Sequence, residues 1–152
     1  MIVGLISDTH GLLRDAALNA LTGSAHIIHA GDIGKPRVLE DLRAIAPLSA
    51  IRGNVDREPW ADAYPHTLDL QLGGAKIHVA HDRKQLNINA EASGIDVVVT
   101  GHSHKPLIER VGAVTYVNPG SAGPRRFRLP IAVALLELQP ENITARIIEL
   151  PP

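Results

Sequence analysis

Residues 2–10 have the sequence IVGLISDTH, in which an uninterrupted run of uncharged residues leads directly into Asp8 and His10. A continuous apolar run of this kind is typical of a β-strand that is buried on both faces. Asp8 and His10 therefore follow the carboxyl end of the predicted strand. Open α/β sheets bind their ligands at this edge. The stretch thus predicts both a class of fold and the position of a site.

The next part of the chain repeats this arrangement. Apolar spacing predicts a helix over residues 13–21, a strand at 27–28, a helix over 36–45 and a strand over 48–51. Pro36 suits the first turn of the second helix, where its missing N–H costs nothing. Gly31-Asp32 follows the second strand and Gly53-Asn54 follows the third. Strands that alternate with helices indicate right-handed parallel crossovers.

The rest of the chain is richer in β-structure. Hairpins are predicted for 67–72 with 76–80, 107–110 with 114–117, and 131–138 with 143–150. Residues 96–100 form another buried strand, and 86–92 are expected to form a helix. We therefore expect a single domain over residues 1–152 with an α/β (α+β) fold. Two packed mixed β-sheets flanked by helices would give a four-layer sandwich.

Polar residues that can bind metal follow five of the predicted strands. They are Asp8, His10, Asp32, Asn54, His81, His102 and His104. An aspartate alone at a strand end is equally well explained as a turn residue. Carboxylates brought together repel each other, however, unless a cation neutralises them. Mixed oxygen and imidazole ligands suit manganese, iron or zinc better than calcium. The set predicts a centre for two divalent metal ions.

The order of these motifs resembles that of calcineurin-like metallophosphoesterases. The shared motifs are Asp-x-His, Gly-Asp, Gly-Asn-x-Asp, a single strand-end histidine and Gly-His-x-His. The small single-domain phosphodiesterases of bacteria and archaea are the most similar subgroup. The resemblance covers essentially the whole chain, including Asn118-Pro-Gly-Ser121. It implies the four-layer metallophosphoesterase sandwich and a phosphodiesterase activity.

The resemblance also implies a role for each ligand. Asp8, His10 and His104 would hold one metal ion; Asn54, His81 and His102 would hold the second; Asp32 would bridge them. Asp32, Asn54 and His102 are also expected to act in catalysis. A hydroxide between the ions would attack phosphorus in line with the leaving oxygen. Manganese is the preferred ion, with zinc, iron, nickel and magnesium as alternatives.

Two positions depart from the family pattern. Many members carry a histidine where this chain has Val55, which cannot protonate a leaving group. We therefore expect slow turnover of esters with poor leaving groups. The common His-Gly-His motif is replaced here by His81-Asp82-Arg83. Asp82 is expected to be exposed rather than to support a metal ligand.

Other polar residues have less support from motifs. Asp56 is expected to fix the turn after Asn54, and His29 to be a packed core histidine. Arg125 and Arg126 are candidates for binding substrate phosphate, since guanidinium pairs bidentately with phosphate, although a solvated loop is the favoured explanation. The segment 57–65, with its tryptophan and tyrosine, is a candidate specificity loop.

Composition limits the partners of the chain. It has no cysteine, which excludes disulfides and thiolate metal sites, and its net charge is −1. No strong positive field attracts nucleic acid, so a nuclease is an alternative that is not favoured, and a small phosphodiester is the expected substrate. A non-catalytic protein-interaction scaffold, like the retromer subunit of this superfamily, is the other alternative. We expect no membrane association and a cytoplasmic location, and the oligomeric state stays open.

Overall fold

The computed structural model describes all 152 residues and contains ten strands and two α-helices. The first half of the chain contains β1 (Ile2–Ile6), α1 (Asp15–Leu21), β2 (His26–His29), α2 (Pro36–Arg43), β3 (Leu48–Ala50), β4 (Thr67–Leu72) and β5 (Ala75–Ala80). The second half contains β6 (Val97–Val99), β7 (Leu107–Val111), β8 (Val114–Asn118), β9 (Ile131–Gln139) and β10 (Asn142–Leu150). Short 3₁₀ helices cover Pro59–Ala63 and Arg83–Gln85.

The strands form two mixed sheets of five strands each. The order is β10-β9-β1-β2-β3 in the first sheet and β4-β5-β6-β8-β7 in the second. β1, β2 and β3 are parallel, with Val3 opposite His26 and Ile27 opposite Leu48. β5, β6 and β8 are parallel in the second sheet. The predicted fold class, with two packed mixed sheets, is confirmed.

Two large apolar clusters hold the layers together. One lies between the sheets and is formed by side chains such as Leu5, Ile28, Ile77 and Val99. The other lies between the first sheet and both α-helices and includes Leu21 and the buried face of α2. Burial on both sides explains why β1 is an unbroken apolar run.

The helix predicted over 86–92 is absent. This segment forms turns, in which the Asn89 side chain accepts a hydrogen bond from the Ala92 N–H at 3.1 Å. Asparagine side chains compete in this way with the backbone bonds of a helix. Leu86, Ala90 and Ile95 nevertheless cover the outer face of the second sheet. No helix of the structure is long and apolar enough to cross a membrane.

Candidate metal centre

The predicted ligands lie in loops at one end of the sandwich, where the parallel strands of both sheets end. Backbone hydrogen bonds join these loops directly. The Asp8 N–H donates to Gly31 O at 3.0 Å, and the Gly101 N–H donates to His81 O at 2.9 Å. The first bond links neighbouring loops of the first sheet, and the second links neighbouring loops of the second sheet. The ligands are therefore carried by a continuous backbone framework.

Five of the predicted ligands have a left-handed backbone conformation. Their φ angles are +55° at Asp8, +46° at His10, +55° at Asp32, +69° at His102 and +62° at His104. Only two other non-glycine residues of the chain have a positive φ. This conformation is unfavourable for residues with a Cβ and persists only where the surroundings impose it. The fold therefore holds these side chains in fixed directions at some cost in stability.

The first ligand group consists of Asp8, His10 and His104. Its ligand atoms all lie within 4.8 Å of one another. Asp8 Oδ1 is 3.4 Å from His104 Nε2 and 3.9 Å from His10 Nε2. Asp8 is fully buried, whereas the His10 side chain is about one-fifth exposed. The group is thus open to solvent on the side of His10.

The second ligand group consists of Asp32, His81 and His102. Asp32 Oδ2 lies 3.2 Å from His81 Nε2, and it also lies 3.6 Å from His10 Nε2 of the first group. Asp32 is therefore the carboxylate between the two groups, which is the position that the resemblance implies for a bridging ligand. His102 is about half exposed and lies at the mouth of the site.

Several buried ligand atoms have no hydrogen-bond partner. They are Asp8 Oδ1, His10 Nε2 and His81 Nε2. Buried polar atoms in folded proteins are normally paired, so a cluster of unpaired acceptors and imidazole nitrogens needs an explanation. A divalent cation explains it, because both atom types are metal ligands. The residues present thus fit a metal centre.

Other atoms of the same side chains are firmly hydrogen-bonded. Asp8 Oδ2 accepts bonds from Ser7 Oγ at 2.7 Å and from the His102 N–H at 3.0 Å, which leaves Oδ1 free. His81 Nδ1 donates to Ala30 O at 2.7 Å, so Nε2 is the ring nitrogen that faces Asp32 and is placed to bind a metal. Such partners fix the orientation and tautomer of metal ligands. The role of Ser7 was not predicted from the sequence. The one feature that pointed to it was its position directly before Asp8.

The central pair has shifted pKa values. Burial alone would raise the pKa of Asp32, but the nearby His81 imidazolium and the Val55 N–H lower it to about 2. Burial alone would lower the pKa of His81, but Asp32, Asp8 and the bond to Ala30 O raise it to about 9. A metal ion at His81 Nε2 must therefore displace a proton, so its affinity should increase with pH.

Glycines let the loops approach one another. A Cβ on Gly101 would lie 2.7 Å from Asp8 Oδ2 and closer still to Ser7 Oγ. A Cβ on Gly53 would collide with the Asp32 carboxylate. Any side chain at these two positions would therefore push a ligand carboxylate out of place.

Two residues outside the ligand set connect these loops. Asp56 is buried and accepts bonds from the N–H groups of Ile33, Gly34 and Gly53, which supports its predicted role in the turn. His29 is also fully buried, as predicted. Its Nδ1 accepts a bond from the Gly31 N–H, so its Nε2 donates to Thr9 Oγ1 at 3.0 Å. His29 thereby joins the loop after β1 to the loop after β2.

The remaining candidates lie around the centre. Asn54 is exposed and lines a cleft beside His81, with a volume of about 550 Å³. Asp82 was expected to be exposed, but its side chain is largely buried and lies 3.7 Å from His102 Nε2, so this expectation is wrong. Arg125 and Arg126 are exposed, and neither lines this cleft. Their role in substrate binding stays a prediction.

The candidate specificity loop is placed differently from the expectation. Trp60 and Tyr64 pack against the apolar cluster of the two α-helices and contact each other edge to face. The Tyr64 hydroxyl accepts a bond from Arg43 at 2.7 Å. Within this segment, only Arg57 lines the cleft beside His81. Neither aromatic side chain lines the cleft beside His81.

Two groups of carboxylate and imidazole side chains, at the carboxyl edge of a two-sheet sandwich, form a candidate metal centre of the kind that metal-dependent hydrolases use. The sequence model of one protein family, the calcineurin-like phosphoesterase superfamily domain, matches residues 1–141. The chain therefore belongs to this superfamily.

Individual relatives agree with this assignment. The chain is 30% identical over 160 residues to a "Probable metallophosphoesterase" of Methanothermobacter thermautotrophicus. The alignment covers 97% of this chain and 92% of that protein. The fold is similar to that of an archaeal phosphodiesterase, with a TM-score of 0.80 at 22% identity over 97% of this chain and 100% of that one. It is also similar to Vps29 of Entamoeba histolytica complexed with Zn²⁺, with a TM-score of 0.73 at 24% identity over 98% and 99% of the chains.

Proposed function

We propose that this protein is a phosphodiesterase that uses two divalent metal ions. The observation that carries the proposal is the set of unpaired ligand atoms in two adjacent groups, with Asp32 between them. A relative in fold that is named an archaeal phosphodiesterase supports the choice of a diester substrate. The superfamily membership supports hydrolysis at phosphorus.

Each ligand keeps the role that the motif order implies. Asp8, His10 and His104 would hold one ion, and Asn54, His81 and His102 the other, with Asp32 shared. Bound ions of this kind activate water and neutralise charge on phosphoryl oxygens. Mixed oxygen and imidazole ligands suit manganese, iron and zinc, and manganese is the ion that we propose. The zinc-bound Vps29 neighbour makes zinc the main alternative.

The other residues of the site orient the ligands and admit the substrate. Ala30 O fixes the tautomer of His81, and the Ser7 hydroxyl fixes the rotation of the Asp8 carboxylate. His102 lies half exposed at the mouth, where a phosphate ester would arrive. Val55 is half exposed and has no proton to give to a leaving group. Activated diesters, whose leaving groups depart without protonation, should therefore be the best substrates.

The substrate is proposed to be a small diester rather than a polynucleotide. The net charge of −1 supplies no general attraction for nucleic acid. A cytoplasmic location is also proposed, consistent with a chain that contains no cysteine.

The decisive experiment removes and restores the metal. Protein stripped by a chelator should not hydrolyse bis(p-nitrophenyl) phosphate, and addition of Mn²⁺ should restore hydrolysis. Slower hydrolysis of p-nitrophenyl phosphate, measured in parallel, would establish the preference for diesters. Metal analysis should find two ions per chain. A protein that binds two ions but hydrolyses neither ester with Mn²⁺, Zn²⁺, Mg²⁺ or Ni²⁺ would instead indicate a scaffold of the same fold.

A further inference from the structure

We propose that the cleft on the His102 side of the metal centre binds a flat aromatic group on one arm of the diester, such as a nucleobase. The inference rests on the proposed function and specifies its substrate class. This cleft has a volume of about 570 Å³ and is bordered by His102, Asp82, Arg83 and Tyr116. Pockets of this size commonly hold small organic ligands.

A stacked pair of side chains forms the platform of the cleft. The Arg83 guanidinium lies over the Tyr116 ring, 4.1 Å from its centroid. Arg83 Nη1 and Nη2 also donate to the two carboxylate oxygens of Glu109, at 3.2 and 3.4 Å. Tyr116 is in turn packed against the apolar cluster on the outer face of the second sheet. The guanidinium is therefore held flat by a ring on one face and a carboxylate at its edge.

The exposed part of Arg83 is available to a ligand. Its side chain is 36% exposed and lines the cleft. Tyr116 covers one face of the guanidinium, so a ligand ring can stack on the other. Planar guanidinium groups stack readily on aromatic rings, which lysine cannot do. The platform thus favours a flat ring over an alkyl group of similar size.

Charge and position connect this platform to the centre. Asp82, the residue before Arg83, lies 3.7 Å from His102 Nε2. Lys84 and Lys105 also line the cleft, are exposed and form no ion pair. The cleft that Arg83 borders thus also reaches His102 of the candidate centre and carries two lysines.

The cleft on the other side of the centre is different. It is lined by Arg52, Arg57 and His66 and has Ala80 as its one apolar residue. It contains no tyrosine, tryptophan or phenylalanine on which an arginine could stack. We therefore assign the aromatic arm to the His102 side and the second, polar arm to the Arg57 side.

Binding measurements test this assignment without relying on turnover. Zinc-loaded protein should bind thymidine 5′-monophosphate roughly ten-fold more tightly than ethyl phosphate in calorimetry, because base stacking has a strength of this order. Arg83→Lys keeps the charge but loses the planar group, and should abolish the preference. Arg37→Lys, the matched change at an exposed arginine of α2 that lines neither cleft, should retain it. Equal affinity for both ligands in the unmodified protein, or an unchanged preference in Arg83→Lys, would overturn the assignment.

Kinetics separate this proposal from the one on which it rests. Thymidine 5′-(p-nitrophenyl phosphate) and ethyl p-nitrophenyl phosphate have the same leaving group and differ in the other arm. The nucleotide ester should have a roughly ten-fold lower KM, and Arg83→Lys should remove that difference with little change in kcat. Hydrolysis of both esters with the same KM would contradict the proposed aromatic cleft but not the proposed phosphodiesterase function. If neither ester is hydrolysed, the proposed function fails, while the calorimetry still decides whether the cleft binds the ring.

Discussion

At the scale of single residues, Asp8 shows how neighbouring groups orient a candidate metal ligand. One carboxylate oxygen accepts two hydrogen bonds, whereas the other is buried without a partner. The Ser121 hydroxyl, from a loop 113 residues away, donates to Asp8 O at 2.9 Å and holds the backbone. The unpaired oxygen therefore points in one direction only. Burial of this oxygen without a hydrogen-bond partner destabilises the fold, and a cation bound there would offset that loss.

Asp32→Asn should remove most of the activity because this carboxylate lies between both ligand groups. An amide has no negative charge and leaves each ion with one charged ligand fewer. We expect bound metal to fall below one ion per chain and kcat/KM to fall by more than about a thousand-fold. Metal analysis and diester hydrolysis measure the two effects.

The matched control for this change is Asp41→Asn, which alters an exposed carboxylate on α2. It should keep both metal ions and the full rate. Near-normal turnover of Asp32→Asn with Mn²⁺ would show that Asp32 does not serve both ions.

His29 should make the protein sensitive to acid. Its complete burial lowers its pKa to about 4, from an ordinary value of 6.5. Below pH 6.5, His29 therefore binds a proton in the unfolded chain but stays neutral in the folded chain. Stability is lost as the pH falls from 6.5 to 4, by about 3 kcal/mol for this group. Urea unfolding at several pH values measures this loss.

His29→Gln separates this effect from general acid unfolding. The variant should be less stable at neutral pH, because the link between Gly31 and Thr9 is weakened. Its stability should nevertheless fall less steeply between pH 6.5 and 4. Equal slopes in both proteins would exclude His29 as the source of the acid sensitivity.

At the scale of elements, alternation of apolar runs and polar strand ends predicted most of the fold. Each predicted strand is present, because burial on one or both faces leaves a clear pattern in sequence. The helix expected over 86–92 is absent, since Asn89 forms a side-chain turn that hydrophobic spacing does not reveal. The packing of Trp60 could not be predicted either, because it depends on contacts with helix residues that are far from it in the sequence.

Gly101→Ala tests the close approach of the loops after β1 and β6. The added Cβ would meet Asp8 Oδ2 and Ser7 Oγ, so it should displace the Asp8 carboxylate. Metal affinity should fall by about 10- to 100-fold, as it does when the partners of metal ligands are disturbed. Titration with Zn²⁺ against a competing chelator measures the affinity.

Gly4→Ala is the control, because its Cβ would lie 2.7 Å from Leu21 Cδ2, away from the metal centre. It should lower stability but leave the metal affinity of the folded protein unchanged. A similar loss of affinity in both variants would indicate that general destabilisation, rather than crowding at Asp8, is responsible.

At the scale of the whole molecule, two sheets contribute to one centre. Asp8, His10 and Asp32 follow strands of the first sheet, whereas His81, His102 and His104 follow strands of the second. The order of motifs indicated these candidate ligands, and their convergence in space follows from the packing of the sheets. The stacking of Arg83 on Tyr116 could not be predicted, because it joins a turn after β5 to the middle of β8.

Because the candidate metal ligands come from both sheets, metal binding should stabilise the whole molecule. A ligand at a hundred times its dissociation constant adds about 2.7 kcal/mol to the free energy of unfolding. For a chain of this length, that corresponds to an increase in Tm of about 5–11 °C. Chelation should therefore lower the Tm of the metal-loaded protein by this amount, as measured by calorimetry. In Asp32→Asn, which loses the shared carboxylate, the same treatment should change Tm by less than about 2 °C. A chelator effect of equal size in both proteins would mean that the stabilising metal binds elsewhere, because removal of Asp32 would then have left its site intact.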